Sequence, residues 1–130
     1  MNIWVNGCFD ILHLGHIELL KYASTFGKVR VGIDSDKRVK QLKGSHRPIN
    51  SQEMRMKFLE SIKWVDSVVV FNSDEELIDS IKNWNSDIIV IGSDYKDKKV
   101  IGSEVVKQVI FFDKIEGLST TKLINYLWLN

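Results

Sequence analysis

Short apolar runs alternate with amphipathic segments along most of the chain. Runs rich in branched and aromatic residues predict strands at residues 3–5, 29–33, 67–71 and 87–91, with a weaker one at 109–112. The first run ends at an Asn-Gly pair, which is typical of a turn. The pattern therefore predicts about five short strands.

Helices are predicted between these strands. In the first of them, the apolar residues Ile17, Leu20 and Ala23 recur at near-helical spacing, and Gly27 stands where a helix would stop. Strand, helix and strand in this order imply right-handed crossovers and a parallel sheet. We therefore expect one α/β domain over residues 1–130, an open parallel sheet with helices on both faces. The other helices are predicted at residues 52–62, 75–84 and 120–127.

The stretch over residues 34–50 interrupts the alternation. It is rich in Lys and Arg and holds the only proline of the chain. It is too long and too polar for a simple connection, and long loops in compact domains are usually functional or mobile. We expect it to form a lid over a ligand site.

Composition narrows the classes of function. Eighteen Lys and Arg against 17 Asp and Glu leave a net charge of +1, so no global field favours nucleic acid or an anionic membrane. The single Cys excludes an internal disulfide. No apolar run approaches the roughly 20 residues of a membrane span, and no leader pattern opens the chain. We expect a soluble cytoplasmic protein that binds anions locally.

Candidate chemistry follows the first strand. Ligands of open parallel sheets bind beyond the carboxyl ends of the strands, and Gly7 there lets the backbone approach a ligand closely. His13 and His16, with Gly15 between them, stand where the next helix begins. A helix start offers free N–H groups to phosphate, and two His donors can stabilise charge that develops on a phosphoryl group.

Other roles for this pair are open. A single His near a helix end is usually a surface or capping residue, and paired His can hold zinc. No third ligand stands in an obvious cluster with His13 and His16, so phosphate contact is favoured over a metal. Near the other terminus, Ser119 or Thr120 suits the cap of the last helix, and hydroxyls at a helix start form a second anion site.

Together the two motifs resemble those of the cytidylyltransferase-like nucleotidyltransferases. That family carries His-x-Gly-His after the first strand and Ser-Thr-Thr at the start of the last helix, and both are present here. The resemblance runs nearly end to end and is closest to the adenylyltransferase domains that make ADP-heptose from heptose 1-phosphate. Residues 6–13, 42–50 with Arg55, and 92–102 carry that closeness. Glycerol-3-phosphate cytidylyltransferases are similar across the first and last motifs.

The resemblance implies a Rossmann-like fold, a homodimer and transfer of a nucleoside monophosphate from ATP or CTP to a phosphorylated sugar or alcohol. Pyrophosphate would be released, and Mg²⁺ would be the cofactor. His13, His16 and Lys43 would be catalytic. Asp10, Lys40 and Arg47 are candidates for binding the acceptor. The residues assigned to the nucleotide are Gly7, Cys8, Phe9, Gly15, Arg55, Gly92, Asp94, Tyr95, Glu116, Gly117, Ser119, Thr120 and Thr121.

Several of these residues have simpler alternatives. Lys43 could be a solvated loop cation, and Arg55 could form a surface ion pair with a neighbouring Glu on its helix. Asp10 could help to hold Mg²⁺ or could cap a loop. Ser93 and Ile91 replace a Gly and a Lys of the family's usual Lys-Gly-Gly-Asp-Tyr run. Lys114 also stands where glycerol phosphate enzymes carry Arg, so the nucleobase stays open.

The predicted mechanism is in-line attack of the acceptor's phosphate on the α-phosphorus, without a covalent intermediate. Cys8, the only thiol, has no recognisable base beside it. Alternatives are cytidylyl transfer to a polyol or amino-alcohol phosphate and a nucleotide-binding module without turnover. A flavodoxin-like carrier shares the fold class, but its phosphate loop is rich in Ser and Thr, whereas the loop over residues 7–10 reads Gly-Cys-Phe-Asp.

Overall fold

The structure is a computed structural model, and it describes residues 1–113. The last predicted helix, the motif from Glu116 to Thr121 and Lys114 lie outside the described residues. The strands are β1 Asn2–Gly7, β2 Lys28–Asp34, β3 Ser67–Phe71, β4 Ile88–Gly92 and β5 Gln108–Phe112. The α-helices are α1 Leu14–Ser24, α2 Asp36–Lys43, α3 Gln52–Glu60 and α4 Asp74–Asn83. Short 3₁₀ helices follow β4 at Ser93–Tyr95 and Ser103–Val105.

The five strands form one parallel sheet in the order β3-β2-β1-β4-β5. The predicted α/β fold with an open parallel sheet is therefore confirmed. The chain runs outward from β1 to β3 and then crosses back to β4, so the direction of winding changes between β1 and β4. At such a switch point, the connections leave in opposite directions and open a crevice beyond the carboxyl ends of the strands.

Helices cover both faces of the sheet, as predicted. The side chains of β1 alternate between the two faces: Ile3 and Val5 pack with Leu20 of α1, whereas Trp4 packs on the other face with Ile81 of α4. All five side chains are fully buried. Burial of each such side chain contributes roughly 1.5–3 kcal/mol, which fixes the central strand and with it the loop that follows.

The prediction of a long loop over residues 34–50 is wrong, because α2 occupies half of it. Ser35 caps the start of α2, where its hydroxyl accepts the N–H of Arg38 at 3.1 Å. Gly44 ends the helix with a φ of 104°, a conformation that favours glycine. Only Val39 is buried, so the segment has the polarity of a loop although it carries both helix boundary signals.

The start of α2 is fixed to the start of α3 by a reciprocal pair of hydrogen bonds. The N–H of Asp36 donates to the side-chain oxygen of Gln52 at 2.9 Å, and the N–H of Gln52 donates to the Asp36 carboxylate at 2.8 Å. Both bonds satisfy helix-start donors that would otherwise lack partners. The helix that carries Lys43 is thus anchored at its start. This anchor opposes the predicted closing of residues 34–50 over a ligand as one lid.

Within residues 1–113, the structure contains no helix that is both long enough and apolar enough to cross a membrane.

Candidate functional site

A cleft of about 390 Å³ lies beyond the carboxyl ends of β1, β2 and β4. This is where the topology places a ligand site. The first strand brings the glycine turn and the start of α1 to the cleft, β2 brings α2, and β4 brings the turn at Gly92. The predicted site residues that line it are Gly7, Cys8, Phe9, His13, Gly15, His16, Lys43, Arg47, Gly92 and Tyr95.

Four predicted residues within the described chain do not line the cleft. Lys40 and Asp94 are exposed and are not among the residues that line the cleft, whereas Asp10 and Arg55 are buried. The contacts predicted for Lys40 and Asp94 stay predictions, whereas the side chains of Asp10 and Arg55 form hydrogen bonds within the protein. Since sequence spacing does not reveal which way a side chain points across a helix or a tight loop, the four could not be sorted in advance.

The two histidines form a stacked pair at the start of α1. Their ring centroids are 3.8 Å apart, with the rings inclined by 26°. The Nδ1 atom of His13 accepts the N–H of Gly15 at 3.0 Å, and the Nδ1 atom of His16 accepts the N–H of His13 at 3.1 Å. The capping role considered from the sequence is therefore real, and it fixes the rotation of both rings.

This capping determines where each ring carries its proton. A neutral imidazole has one donor and one acceptor nitrogen, and Nδ1 of both His13 and His16 is an acceptor of a backbone N–H. The proton of each neutral ring therefore lies on Nε2, across the ring from the capping contact. Capping and ligand binding use different nitrogens, so the first does not exclude the second. The result is a pair of neighbouring N–H donors in a cleft at a helix start.

Phe9 packs from the core against the His13–His16 pair, in contact with the ring of His16. Its backbone has a φ of 51°, an unfavourable value for a non-glycine residue, and its side chain is buried in the core. The Phe9 ring lies 5.1 Å from the His16 ring, centroid to centroid. A Cβ at Gly7 would lie 3.1 Å from the Phe9 ring, so the glycine turn leaves room for that ring. The sequence predicted only a backbone contact between Phe9 and the nucleotide. The packing of the Phe9 ring beside His16 is a second role, which the sequence did not indicate.

Gly15→Ala is expected to lower kcat while leaving the fold intact. A Cβ at this position would lie 2.8 Å from Cε1 and 3.0 Å from Nδ1 of His13, so the ring must shift. Displacing a reacting or stabilising group by about 1 Å can cost on the order of 100-fold in rate. The shifted ring weakens the His13 cap on the Gly15 N–H, at a cost of the same order as the gain from placing alanine in a helix, so Tm should change little. Steady-state kinetics and thermal melts check both, with Lys21→Ala in the last turn of α1 as the control.

Arg55 joins the loops around the cleft from within. Its side chain is fully buried in the first turn of α3, so the alternative of a surface ion pair is also excluded. The guanidinium donates to the carbonyl oxygens of Cys8 at 2.9 Å, Asp34 at 2.8 Å and Asn50 at 3.1 Å. It also contacts the Asp36 carboxylate at 2.9 Å. The segments after β1 and β2 are thereby fixed to α3 by one charged side chain.

Asp10 performs a similar task for the segment that follows Gly44. One carboxylate oxygen accepts the N–H of Asn50 at 2.8 Å, and the other accepts the N–H of Ile49 at 2.8 Å. The second oxygen also contacts Nε of Arg47 at 3.2 Å. With both oxygens engaged and its side chain buried, Asp10 does not fit the role of a Mg²⁺ ligand and instead takes the capping alternative.

The comparisons with known proteins agree with this architecture. The cytidylyltransferase-like family model matches residues 4–125. The chain belongs to the cytidylyltransferase-like family. The resemblance inferred from the two motifs is thus confirmed, and the His pair of this family member lies where the strand order predicts a ligand.

Two relatives extend the comparison. The chain is 48% identical over 124 residues to the bifunctional protein HldE of Campylobacter fetus subsp. fetus, covering 95% of this chain and 27% of that protein. It is 49% identical over 125 residues to the bifunctional protein HldE of a Nitratiruptor species, covering 94% of this chain and 26% of that protein. This family member therefore spans about a quarter of the length of these relatives.

A solved structure shares the fold. The lipopolysaccharide core biosynthesis protein of Thermoplasma volcanium GSS1 superposes with a TM-score of 0.74 at 22% identity. The match covers 89% of this chain and 98% of that one. At this level of identity the likeness shows the fold alone.

The cleft of this family member also contains charged residues that the sequence did not single out. Arg38 lines it, but its guanidinium is paired with Asp34 at 2.8 Å and with Asp74 at 2.6 Å. The i,i+4 spacing of Asp34 and Arg38 could have indicated that pair. Lys99 also lines the cleft, and nothing in the sequence marked it.

Cys8 brings the only thiol of the sequence to the cleft. Burial raises the pKa of its thiol, and the nearby positive charges of Lys43 and Arg55 offset this only in part. The thiol is therefore protonated at neutral pH and a poor nucleophile, because the thiolate is the reactive form. This agrees with a mechanism that needs no covalent intermediate.

We expect Cys8→Ala to keep most of the turnover. In the native protein, the thiol should react with iodoacetamide more slowly than in the urea-unfolded chain at the same pH, and the native rate should rise as pH increases above neutrality. Both rates can be followed by mass spectrometry, since the chain has a single cysteine. A variant without turnover but with an unchanged Tm would contradict the assignment.

Proposed function

We propose that the chain catalyses nucleotidyl transfer: the phosphate of an acceptor attacks the α-phosphorus of a nucleoside triphosphate, and pyrophosphate leaves. The observation that carries this proposal is the stacked pair of His13 and His16, whose capping contacts engage Nδ1 and so place the proton of each ring on Nε2 at a helix start. Membership of the cytidylyltransferase-like family supports the same class of reaction.

In this mechanism, the enzyme orients the reactants and stabilises charge. The two imidazole donors would contact phosphoryl oxygens, where negative charge builds up as the bond to the leaving group breaks. Lys43, on the exposed end of α2, would add a mobile positive charge near the leaving pyrophosphate. No side chain needs to form a covalent bond, which agrees with a protonated Cys8.

The nucleoside would lie on the β4 side of the cleft. Gly92 and Tyr95 line that side together with the apolar side chains of Ile91, Val100 and Ile101. An apolar wall suits a base and ribose, whereas the α2 side carries positively charged residues that suit phosphates. The hydroxyls of Ser119 to Thr121 remain predicted phosphate ligands from the family motif.

For the substrates, we propose ATP and a sugar phosphate such as heptose 1-phosphate. The chain is 48% identical to about a quarter of the bifunctional protein HldE, and this similarity supports ATP and heptose 1-phosphate over CTP and glycerol 3-phosphate. Mg²⁺ remains a prediction from the resemblance. Asp10 does not fit as a ligand for this ion, because both of its carboxylate oxygens accept hydrogen bonds from the protein. The homodimer and the cytoplasmic location are likewise predictions.

The test is a pyrophosphate-release assay with purified protein in magnesium buffer. ATP and CTP are each paired with heptose 1-phosphate, glycerol 3-phosphate and phosphocholine. Release that needs ATP and heptose 1-phosphate together supports the full proposal. Release that needs CTP with another acceptor keeps the class and rejects the substrates. No release with any pair, by a protein that still binds ATP in calorimetry, would favour a binding module.

A further inference from the structure

Arg47 has an arrangement that its present contacts do not explain. The residue is 7% exposed and lines the cleft, yet its Nη2 nitrogen is buried and has no hydrogen-bond partner among the described residues. A charged donor that is shielded from water and unpaired is costly, and native proteins rarely keep one without a use. The guanidinium is therefore suited to an anion that enters the cleft.

The other side of Arg47 is held firmly. Its Nε contacts the Asp10 carboxylate at 3.2 Å, and that carboxylate also accepts the N–H groups of Ile49 and Asn50. The side-chain amide of Asn50 donates in turn to the backbone carbonyl of Asp10 at 2.8 Å. Arg47 is thus a rigid donor, unlike Lys43, whose side chain stands on an exposed helix end.

The rigidity of Arg47 indicates which phosphate group of the two substrates it binds. In an in-line displacement, the entering phosphate and the leaving pyrophosphate lie on opposite sides of the α-phosphorus. The entering group must be oriented closely, because small misplacement of a nucleophile slows attack strongly. Charge on the leaving group can be stabilised by adaptable donors such as Lys43. A fixed, buried donor with one unpartnered nitrogen therefore suits the entering phosphate.

We propose that Arg47 is the residue that selects and orients the acceptor, through a hydrogen bond from Nη2 to a non-bridging oxygen of the acceptor's phosphate monoester. This inference rests on the proposed function. It makes the acceptor subsite specific for a phosphate group, whatever the alcohol or sugar that bears it. Asp10 acts through Arg47 and is a positioning residue.

The experiment compares Arg47→Lys and Arg47→Gln with the wild type, using the acceptor that gives turnover in the pyrophosphate assay. For Arg47→Gln, we expect KM for the acceptor to rise by about 10–100-fold, the range for a lost charged hydrogen bond. KM for the nucleotide should stay close to that of the wild type. Arg47→Lys should recover part of the loss, because it keeps the charge but not the geometry.

Other outcomes separate the possibilities. An equal or larger rise in KM for the nucleotide would assign Arg47 to the triphosphate and overturn the inference, as would unchanged kinetics. If Arg47→Gln is unfolded in thermal melts, Arg47→Lys gives the test through its KM for the acceptor divided by its KM for the nucleotide. A quotient equal to that of the wild type overturns the inference. A wild type without any turnover would instead reject the proposed function itself.

Discussion

Replacing His16 by alanine is expected to lower kcat by about 10²–10³-fold, the usual loss when one preorganised donor to a developing charge is removed. The Nε2–H of His16 is held in place by three contacts. Its Nδ1 accepts the N–H of His13, its ring stacks on that of His13, and Phe9 packs beside it. No reorganisation would be needed when charge builds up on the phosphoryl group.

The His16 measurement is a comparison of kcat and nucleotide affinity. Because the donor acts mainly on charge that appears in the transition state, KM should change far less than kcat. His16→Asn is the informative second variant, since its side chain can still accept the N–H of His13 but cannot place a donor at the position of Nε2. If His16→Asn retains wild-type kcat, the donor role is contradicted. Glu18→Ala, on the same helix, is the control.

Arg55→Ala is expected to have the largest effect on stability, a loss of about 3–5 kcal/mol in the free energy of unfolding, because it removes a fully buried side chain and the charged hydrogen bonds that this side chain makes. The substitution would leave the carbonyls of Cys8, Asp34 and Asn50 without their donor. It would also leave a cavity, because the side chain is fully buried.

Urea unfolding of Arg55→Ala beside Lys57→Ala gives the test. Lys57 lies on the same helix and is exposed, so its replacement should change stability by less than about 0.5 kcal/mol. The Arg55 variant should also bind nucleotide weakly under conditions where it is still folded, because the segments after β1 and β2 lose their common anchor. A stable Arg55→Ala protein that loses only nucleotide affinity would restore the predicted direct contact with phosphate.

The sheet and most helices could be predicted because their signals are local. The strands at β1 to β5 are runs of apolar residues, and burial on both faces of a parallel sheet requires just that pattern. The helix α2 was missed for the opposite reason. With one buried residue, Val39, it has no apolar stripe, and its stability comes from Ser35, Gly44 and the contact between Asp36 and Gln52. Only the first two signals are visible locally.

The site was predicted in the same uneven way. His13 and His16 follow a strand and begin a helix, so their location at the cleft follows from the chain order alone. Arg55 and Asp10 carry charges, and charge near a motif suggests a ligand. Most of their partners are backbone groups, and these lie far along the chain, as Cys8 does from Arg55 and Ile49 does from Asp10. Such pairs appear only when the fold brings the loops together.

The most direct test of nucleotidyl transfer is ³¹P NMR of the reaction of ATP with heptose 1-phosphate in the presence of the protein. We predict paired diphosphate signals of a nucleotide sugar, together with free pyrophosphate in an equal amount. Substitution of both His13 and His16 by alanine should abolish both sets of signals while leaving the fold intact. Formation of ADP and inorganic phosphate instead, or equal product from the double variant, would contradict nucleotidyl transfer at this site.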